Sequence, residues 1–164
     1  MNANKRLIIP SKSLKDGWNN FVYIINDKFF EALEYSELKK GNLSLDINVL
    51  KNSQHLLLEY HFSGTIHVIC DRCLDYFDMK VEDRGKFYVK YSNEREDNDE
   101  GCITITPNED TVDISHYIYE SLILGLPNQL VHPLTDKGKS TCNKEMIYKL
   151  EQFNKKKIEI KIKI

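Results

Sequence analysis

The chain has 164 residues, 41% of them hydrophobic and 29% charged, which fits one soluble domain with a packed core. The formal net charge of −2 argues against a protein that attracts nucleic acid through a global positive field. The amino terminus lacks the long apolar region of a signal peptide, and the sequence has no membrane-spanning run. We therefore expect a cytoplasmic protein with no membrane partner, in which the four cysteines are reduced thiols.

The first apolar segment, FVYII at residues 21–25, predicts a core strand. The aromatic residues Trp18, Phe21 and Tyr23 are also of the type that stacks on nucleobases, although the apolar character of the segment favours the core. The next segment, INDKFFEALEYSELKKG at residues 25–41, predicts a short helix that ends near Gly41. The apolar stripe of this helix consists of Phe29, Phe30, Leu33 and Leu38.

Three consecutive strands are predicted in the middle of the chain, the last two of them joined as a hairpin. The segment NLSLDINVL at residues 42–50 alternates between apolar and polar residues, as a half-buried strand does. After the turn KNSQ, the apolar residues are mostly even-numbered up to Cys70, and after Cys73 they are odd-numbered: Phe77, Met79, Val81, Phe87, Val89 and Tyr91. A two-residue turn at Asp71-Arg72 would make a long hairpin that pairs Phe62 with Val81. Neither residue favours a positive φ, so a slightly longer loop is the alternative, and both place the two thiols at the hairpin tip.

The second half of the chain predicts a short strand, a helix, a loop and a basic end. CITIT begins at Cys102 as a strand, and VDISHYIYESLILGLP is an amphipathic helix with Asp113 as its N-cap and Pro127 as its end. NKEMIYKLEQF predicts a helical turn or two, and KIEIKIKI alternates like an edge strand. We expect an α+β fold with a mainly antiparallel twisted sheet and two or three short helices. One domain should span residues 1–150, followed by a Lys-rich tail or edge strand at residues 151–164.

Charge is concentrated in two segments. Residues 93–101, NEREDNDEG, carry five acidic side chains against one arginine, which is typical of a solvated loop. Residues 144–164 carry seven lysines against three glutamates. This basic end suits either a contact surface for an anionic partner or a solvated tail.

Cys70 and Cys73 have the spacing of a zinc knuckle, in which two thiolates bind one ion from a tight turn. We assign His132 and Cys142 as the other two ligands of a Cys3His zinc site. Two thiols that merely pack at the end of a hairpin are the alternative. A redox pair is a third interpretation, but such pairs commonly follow a strand and begin a helix, where the thiol pKa is lowered. The sequence contains none of the hydrolase, phosphate-loop or dinucleotide motifs, so we predict no enzyme and no small-molecule substrate.

Two motifs occur in order along the chain, FSGTIHVICDRCLDYF at residues 62–77 and VDISHYIYESLILGLP at residues 112–127. Together they resemble the YceD family of bacterial proteins, which is associated with accumulation of large-subunit ribosomal RNA. VHP at residues 131–133 and the downstream Cys142 complete the resemblance. The matching positions are Gly64, Cys70, Arg72, Cys73, Leu74, Asp113, Glu120, Leu124, Pro127 and Cys142.

The resemblance implies a non-enzymatic ribosome-biogenesis factor that supports synthesis, processing or stability of large-subunit (23S) ribosomal RNA. It implies a pre-ribosomal large-subunit particle or a ribosomal protein as partner, with ribosomal RNA as a further contact. Because the chain is slightly acidic, protein contacts should matter at least as much as RNA contacts. The alternative function is a small zinc- or thiol-dependent structural or redox-sensing protein unrelated to ribosomes.

Overall fold

The computed structural model describes residues 5–92 and 102–162, with side chains described up to residue 153. The acidic segment at residues 93–101 lies outside the described residues, so its interpretation as a solvated loop stays a prediction. Within the described residues, no helix is both long and apolar enough to cross a membrane.

The described residues form seven strands, three α-helices and one short 3-10 helix at Ser11–Ser13. The strands are β1 (Ile8–Ile9), β2 (Gly17–Asn26), β3 (Gly41–Lys51), β4 (His55–Ile69), β5 (Tyr76–Tyr91), β6 (Cys102–Ile105) and β7 (Val112–Asp113). The α-helices are α1 (Asp27–Ala32), α2 (Ser115–Leu124) and α3 (Lys144–Ile162).

A five-stranded sheet with the order β2-β3-β4-β5-β6 dominates the structure. Strand β3 pairs antiparallel with β2 and with β4, whereas β6 pairs parallel with β5. Strands β1 and β7 form a separate antiparallel pair. The predicted α+β fold with a mainly antiparallel sheet is confirmed, and the β1–β7 pair and the parallel strand are additions that the sequence did not predict.

The apolar alternation of the sequence predicts the buried face of the sheet correctly. Leu43, Leu45, Ile47 and Val49 of β3 are buried, and the even-numbered apolar residues of β4, including Phe62, are buried beside them. On the opposite face, His61 contacts Glu82 at 3.1 Å. Gly64 is needed where β4 pairs with β3 opposite Leu43, because a Cβ atom there would overlap the backbone of Asn42 and Leu43.

The chain divides into two compact units, which we name by their contents. The sheet unit comprises Met1–Ile66 and Lys80–Leu126, and the cysteine unit comprises His67–Met79 and Pro127–Ile164. The cysteine unit thus contains the ends of β4 and β5, the loop that joins them, and α3.

The first two helices differ from their predicted bounds. Helix α1 ends at Ala32, because Leu33 has an extended backbone, and Gly41 begins β3 instead of ending the helix. In α2, the N-cap position belongs to Ile114, although the Asp113 carboxylate one residue earlier accepts a hydrogen bond from the Ser115 N–H at 2.9 Å.

The edge strand predicted for KIEIKIKI is wrong, since the backbone is helical from Lys144 to Ile162. A strand needs a neighbouring strand for its backbone hydrogen bonds, whereas a helix that has already begun extends by local bonds. The division into a domain of residues 1–150 and a tail of residues 151–164 stays a prediction.

Candidate metal centre

The turn that carries the first two cysteines is a loop longer than two residues, which was the second of the two predicted alternatives. Strand β4 ends at Ile69 and β5 begins at Tyr76, so six residues form the connection. The Cys70 N–H donates to the Asp75 carbonyl at 2.9 Å, and the Leu74 N–H donates to the Cys70 carbonyl at 2.9 Å. Leu74 has φ of 62°, in the left-handed region. The loop therefore turns back on itself directly after Cys73.

The second pair of residues comes from a loop that closes on itself. Leu134 and Ser140 form an antiparallel bridge, and between them the Thr135 N–H donates to the Lys139 carbonyl at 2.8 Å. Gly138 has φ of 71°, which a glycine adopts without steric cost and which lets the chain reverse. This small hairpin brings His132 and Cys142 together although nine residues separate them.

The ligand atoms of Cys70, Cys73, His132 and Cys142 all lie within 4.8 Å of one another. The Cys70 and Cys142 sulfurs are 3.8 Å apart, and the Cys73 sulfur is 3.4 Å from His132 Nδ1. In tetrahedral zinc coordination two sulfurs are about 3.8 Å apart, and a sulfur and an imidazole nitrogen about 3.6 Å, given the usual Zn–S and Zn–N bond lengths. Both separations therefore match the edges of a zinc tetrahedron.

These four residues are the set that the sequence predicted, and the structure brings all of them together inside the cysteine unit. Cys70 and Cys73 are fully buried, Cys142 is 6% exposed, and His132 is half-buried. The fourth cysteine, Cys102, lies on β6 of the sheet unit and is not part of the cluster. A Cys3His set with four protein ligands is typical of structural zinc sites.

The surroundings of the two thiols shift the pKa values of Cys70 and Cys73 in opposite directions. Burial acts to raise the pKa of Cys70, but hydrogen bonds from the Cys73 backbone and from His132 outweigh it and lower the pKa to about 6. Burial raises the pKa of Cys73, and the neighbouring thiols of Cys70 and Cys142 raise it further. Backbone N–H groups that point at a sulfur stabilise a thiolate, which is the form that binds a metal.

Hydrogen bonds outside the cluster connect the two loops. The Leu130 N–H donates to an Asp71 carboxylate oxygen at 2.6 Å, and the Asp71 N–H donates to the Leu130 carbonyl at 2.7 Å. The Asn143 amide donates to the Asp75 carboxylate at 2.9 Å. Such contacts fix the positions of metal ligands before a metal binds.

Phe77 supports the histidine, since its ring stacks on His132 with centroids 4.5 Å apart. Phe77, Asp71 and Asn143 were not predicted from the sequence as supporting residues. Asn143 could have been predicted from the sequence, since an asparagine directly before a helix-forming segment is a typical N-cap. Its side-chain oxygen accepts from the N–H groups of Glu145 and Met146.

The remaining histidines and aromatic residues have other contacts. His61 pairs with Glu82, and His67 pairs with Asp78 at 2.8 Å, so neither belongs to the cluster. Tyr23 is buried and donates a hydrogen bond to the Ile8 carbonyl, which agrees with a core strand. Trp18 is 58% exposed at the start of β2.

Comparison with known proteins gives one match. The model of the family described as "Large ribosomal RNA subunit accumulation protein YceD" matches residues 58–159. That range includes most of β4, all of β5, β6 and α2, and all four residues of the cluster. No curated protein and no solved structure matches the chain.

Proposed function

Because the chain belongs to the YceD family, we propose that it is a non-enzymatic bacterial ribosome-biogenesis factor. It supports synthesis, processing or stability of large-subunit (23S) ribosomal RNA in the cytoplasm. The observation that carries this proposal is the family match over residues 58–159, which takes in both of the motifs that define the resemblance. The family's description implies a connection with the large ribosomal subunit. The stage that the protein supports, whether synthesis, processing or stability of the RNA, is part of our proposal.

Within this function, the cluster of Cys70, Cys73, His132 and Cys142 holds one zinc ion as a structural clamp. The tetrahedral separations and the buried thiols support zinc. Four protein ligands leave no coordination position for water or substrate, so the ion would serve folding and not catalysis. Zinc would bind the hairpin loop to the loop before α3 and supply folding free energy to both.

The partner is a pre-ribosomal large-subunit particle, contacted through protein as well as RNA. A chain with a net charge of −2 gains little from phosphate neutralisation over its whole surface. Contacts with a ribosomal protein would supply affinity that does not depend on a positive field.

Sedimentation tests the ribosomal role. We expect tagged protein from a bacterial lysate to co-sediment with large-subunit precursors in low salt and to dissociate as salt is raised. Cells that lack the protein should contain less large-subunit RNA relative to small-subunit RNA. If the protein stays at the top of the gradient and the RNA ratio is unchanged, the ribosomal role is wrong. The alternative, a zinc- or thiol-dependent protein unrelated to ribosomes, would then take its place.

Metal analysis tests the clamp. Protein purified without chelator should contain one zinc ion per chain, and Cys142→Ser should contain almost none. Cys102→Ser is the matched control, because it removes a thiol of the same type from outside the cluster. Zinc-free parent protein, or equal loss of zinc in both variants, would contradict the clamp.

A further inference from the structure

A second feature of the molecule, a pocket in the sheet unit, is not explained by the zinc clamp. It has a volume of about 440 Å³ and lies between α2 and the segment after α1. Ligand pockets in proteins commonly have volumes of about 300–1,000 Å³. The pocket is lined by Tyr35, Glu37, His116, Tyr119, Glu120, Ile123 and Leu124.

The aromatic side of the pocket is held by a hydrogen-bond network. His116 Nδ1 lies 2.8 Å from the Tyr35 hydroxyl, and His116 Nε2 lies 2.9 Å from Glu120 Oε1. A neutral imidazole satisfies both contacts, because it can accept from the tyrosine hydroxyl and donate to the carboxylate. The Glu37 N–H donates to the Tyr119 hydroxyl at 3.0 Å, and the rings of Tyr35 and Tyr119 meet edge to face. The aromatic surface is thus preorganised.

The pocket lining contains two acidic side chains, Glu37 and Glu120. Glu37 and Glu120 are both exposed, and among the described residues neither forms an ion pair with a lysine or arginine. The lining contains no lysine and no arginine. Two carboxylates therefore lie beside aromatic rings, and one of them, Glu120, is 2.9 Å from His116 Nε2.

The rim of the pocket is apolar and open to solvent. Leu124 is 84% exposed and Tyr35 is 51% exposed, which is unusual for large apolar side chains grouped on one pocket. Leu124 and Glu120 are also positions of the second motif, and the metal centre makes no use of either. An apolar rim next to carboxylates suits a ligand that is both cationic and apolar.

We propose that this pocket binds an arginine side chain of a basic protein segment, with an adjacent apolar residue of that segment against Leu124. A guanidinium group is planar, stacks on tyrosine rings and pairs with carboxylates, so it matches the lining better than other common side chains. An RNA phosphate is disfavoured, because the carboxylates would repel it. The inference rests on the proposed function, in which the segment belongs to a basic protein of the large-subunit precursor.

Peptide titration tests the chemistry directly. The zinc-loaded full chain, labelled for NMR, is titrated with a capped Gly-Ser-Arg-Leu-Gly-Ser peptide and with the same peptide carrying citrulline, which keeps the shape of arginine without its charge. We expect the arginine peptide to shift resonances of Tyr35, Tyr119 and Leu124, and the citrulline peptide to bind at least tenfold more weakly. Equal binding of the two peptides, or shifts elsewhere only, would overturn the proposal.

Variants separate the pocket from the rest of the surface. Glu37→Gln combined with Glu120→Gln should weaken binding of the arginine peptide at least tenfold. Glu34→Gln, an exposed glutamate on the same segment outside the lining, should change it less than twofold. An eight-nucleotide oligouridine that shifts the same resonances would identify a nucleic-acid site and overturn the proposal.

Co-sedimentation distinguishes failure of this inference from failure of the proposed function. If the parent co-sediments with large-subunit precursors and the double glutamine variant does so equally, the pocket does not hold the ribosomal partner and the inference is wrong while the function stands. If the parent itself does not co-sediment, the function fails, and the peptide titration still decides what the pocket binds.

Discussion

The sheet unit and the cysteine unit differ in which side chains they bury. Nearly all of the buried apolar side chains that the structure describes belong to the sheet unit, from Leu7 on the amino-terminal side to Leu122 on α2. In the cysteine unit the buried hydrophobic side chains are Val68, Phe77 and three cysteines, as far as its residues are described. The sheet unit has a hydrophobic core, whereas most of the buried side chains of the cysteine unit belong to the four-residue cluster of potential metal ligands.

This difference follows from the size of the two units. A short segment cannot bury enough apolar surface to offset the entropy of ordering its chain, so small units commonly depend on a metal or a disulfide. In the proposed function, zinc at the four-residue cluster takes this role. The comparison predicts that changes to the core should unfold the sheet unit, whereas removal of the metal should loosen only the cysteine unit.

The largest effect is expected in the sheet core. Phe62→Asp places a charge at a position that is 1% exposed, so it should lower the free energy of unfolding by about 4 kcal/mol or more. Thermal unfolding followed by circular dichroism measures it, with Ser63→Asp on the opposite face as control. An unfolding midpoint within a few degrees of the parent would show that the assigned face is wrong.

Removal of zinc should separate the behaviour of the two units. After treatment with a chelator, we expect amide hydrogen exchange at residues 130–143 to accelerate at least tenfold, while exchange in β3 stays slow. The reason is that β3 is held by apolar packing and ladder hydrogen bonds that involve no ligand. Parallel loss of protection in β3 would contradict independent stabilisation.

Asn143 should have a moderate effect confined to the cysteine unit. Asn143→Ala removes both the N-cap of α3 and the hydrogen bond to Asp75, which should cost about 1–2 kcal/mol. Asn143→Ser keeps a capping oxygen but has no amide to reach Asp75, so its effect should be smaller. Chemical denaturation of the zinc-loaded protein measures both, and an equal loss would assign the whole effect to the Asp75 contact.

Leu74 should have the smallest effect, and in the stabilising direction. Its left-handed φ of 62° is strained for leucine, and its side chain is 64% exposed, so Leu74→Gly should stabilise the knuckle by about 0.5–1 kcal/mol. Leu74→Ala keeps the Cβ atom and should change little. Competition with a zinc chelator measures the gain, and tighter zinc binding by the alanine variant would point to the side chain and not to the backbone.

Much of the architecture was predictable because it follows from patterns of neighbouring residues along the chain. Alternation in β3 and β4 is set by the two-residue period of a strand, and the burial of Leu45 and Phe62 follows from it. The Cys-x-x-Cys spacing pointed to a metal site for an equally local reason, because two thiolates in one tight turn can bind one ion. The family resemblance then rested on motifs that contain both features.

Other parts depended on contacts that no local pattern contains. The pairing of β1 with β7 joins residues that are about a hundred positions apart along the chain. The KIEIKIKI alternation pointed to a strand, and the helix that begins after Asn143 overrode it. The aromatic and acidic pocket at Tyr35 and Glu120 assembles from two segments whose residue spacing gave no sign of it.

The sequence by itself therefore determined the strand faces, the α2 segment and the family, because these depend on residue type and short-range spacing. It also supplied the identities of the four candidate ligands, because only a few residue types bind zinc. Only the tertiary structure decided that His132 and Cys142 meet Cys70 and Cys73, with all four ligand atoms within 4.8 Å of one another. The physical reason is loop closure. The bridge between Leu134 and Ser140 and the left-handed Gly138 shorten a nine-residue separation, and Asp71 and Leu130 then fix the two loops by hydrogen bonds.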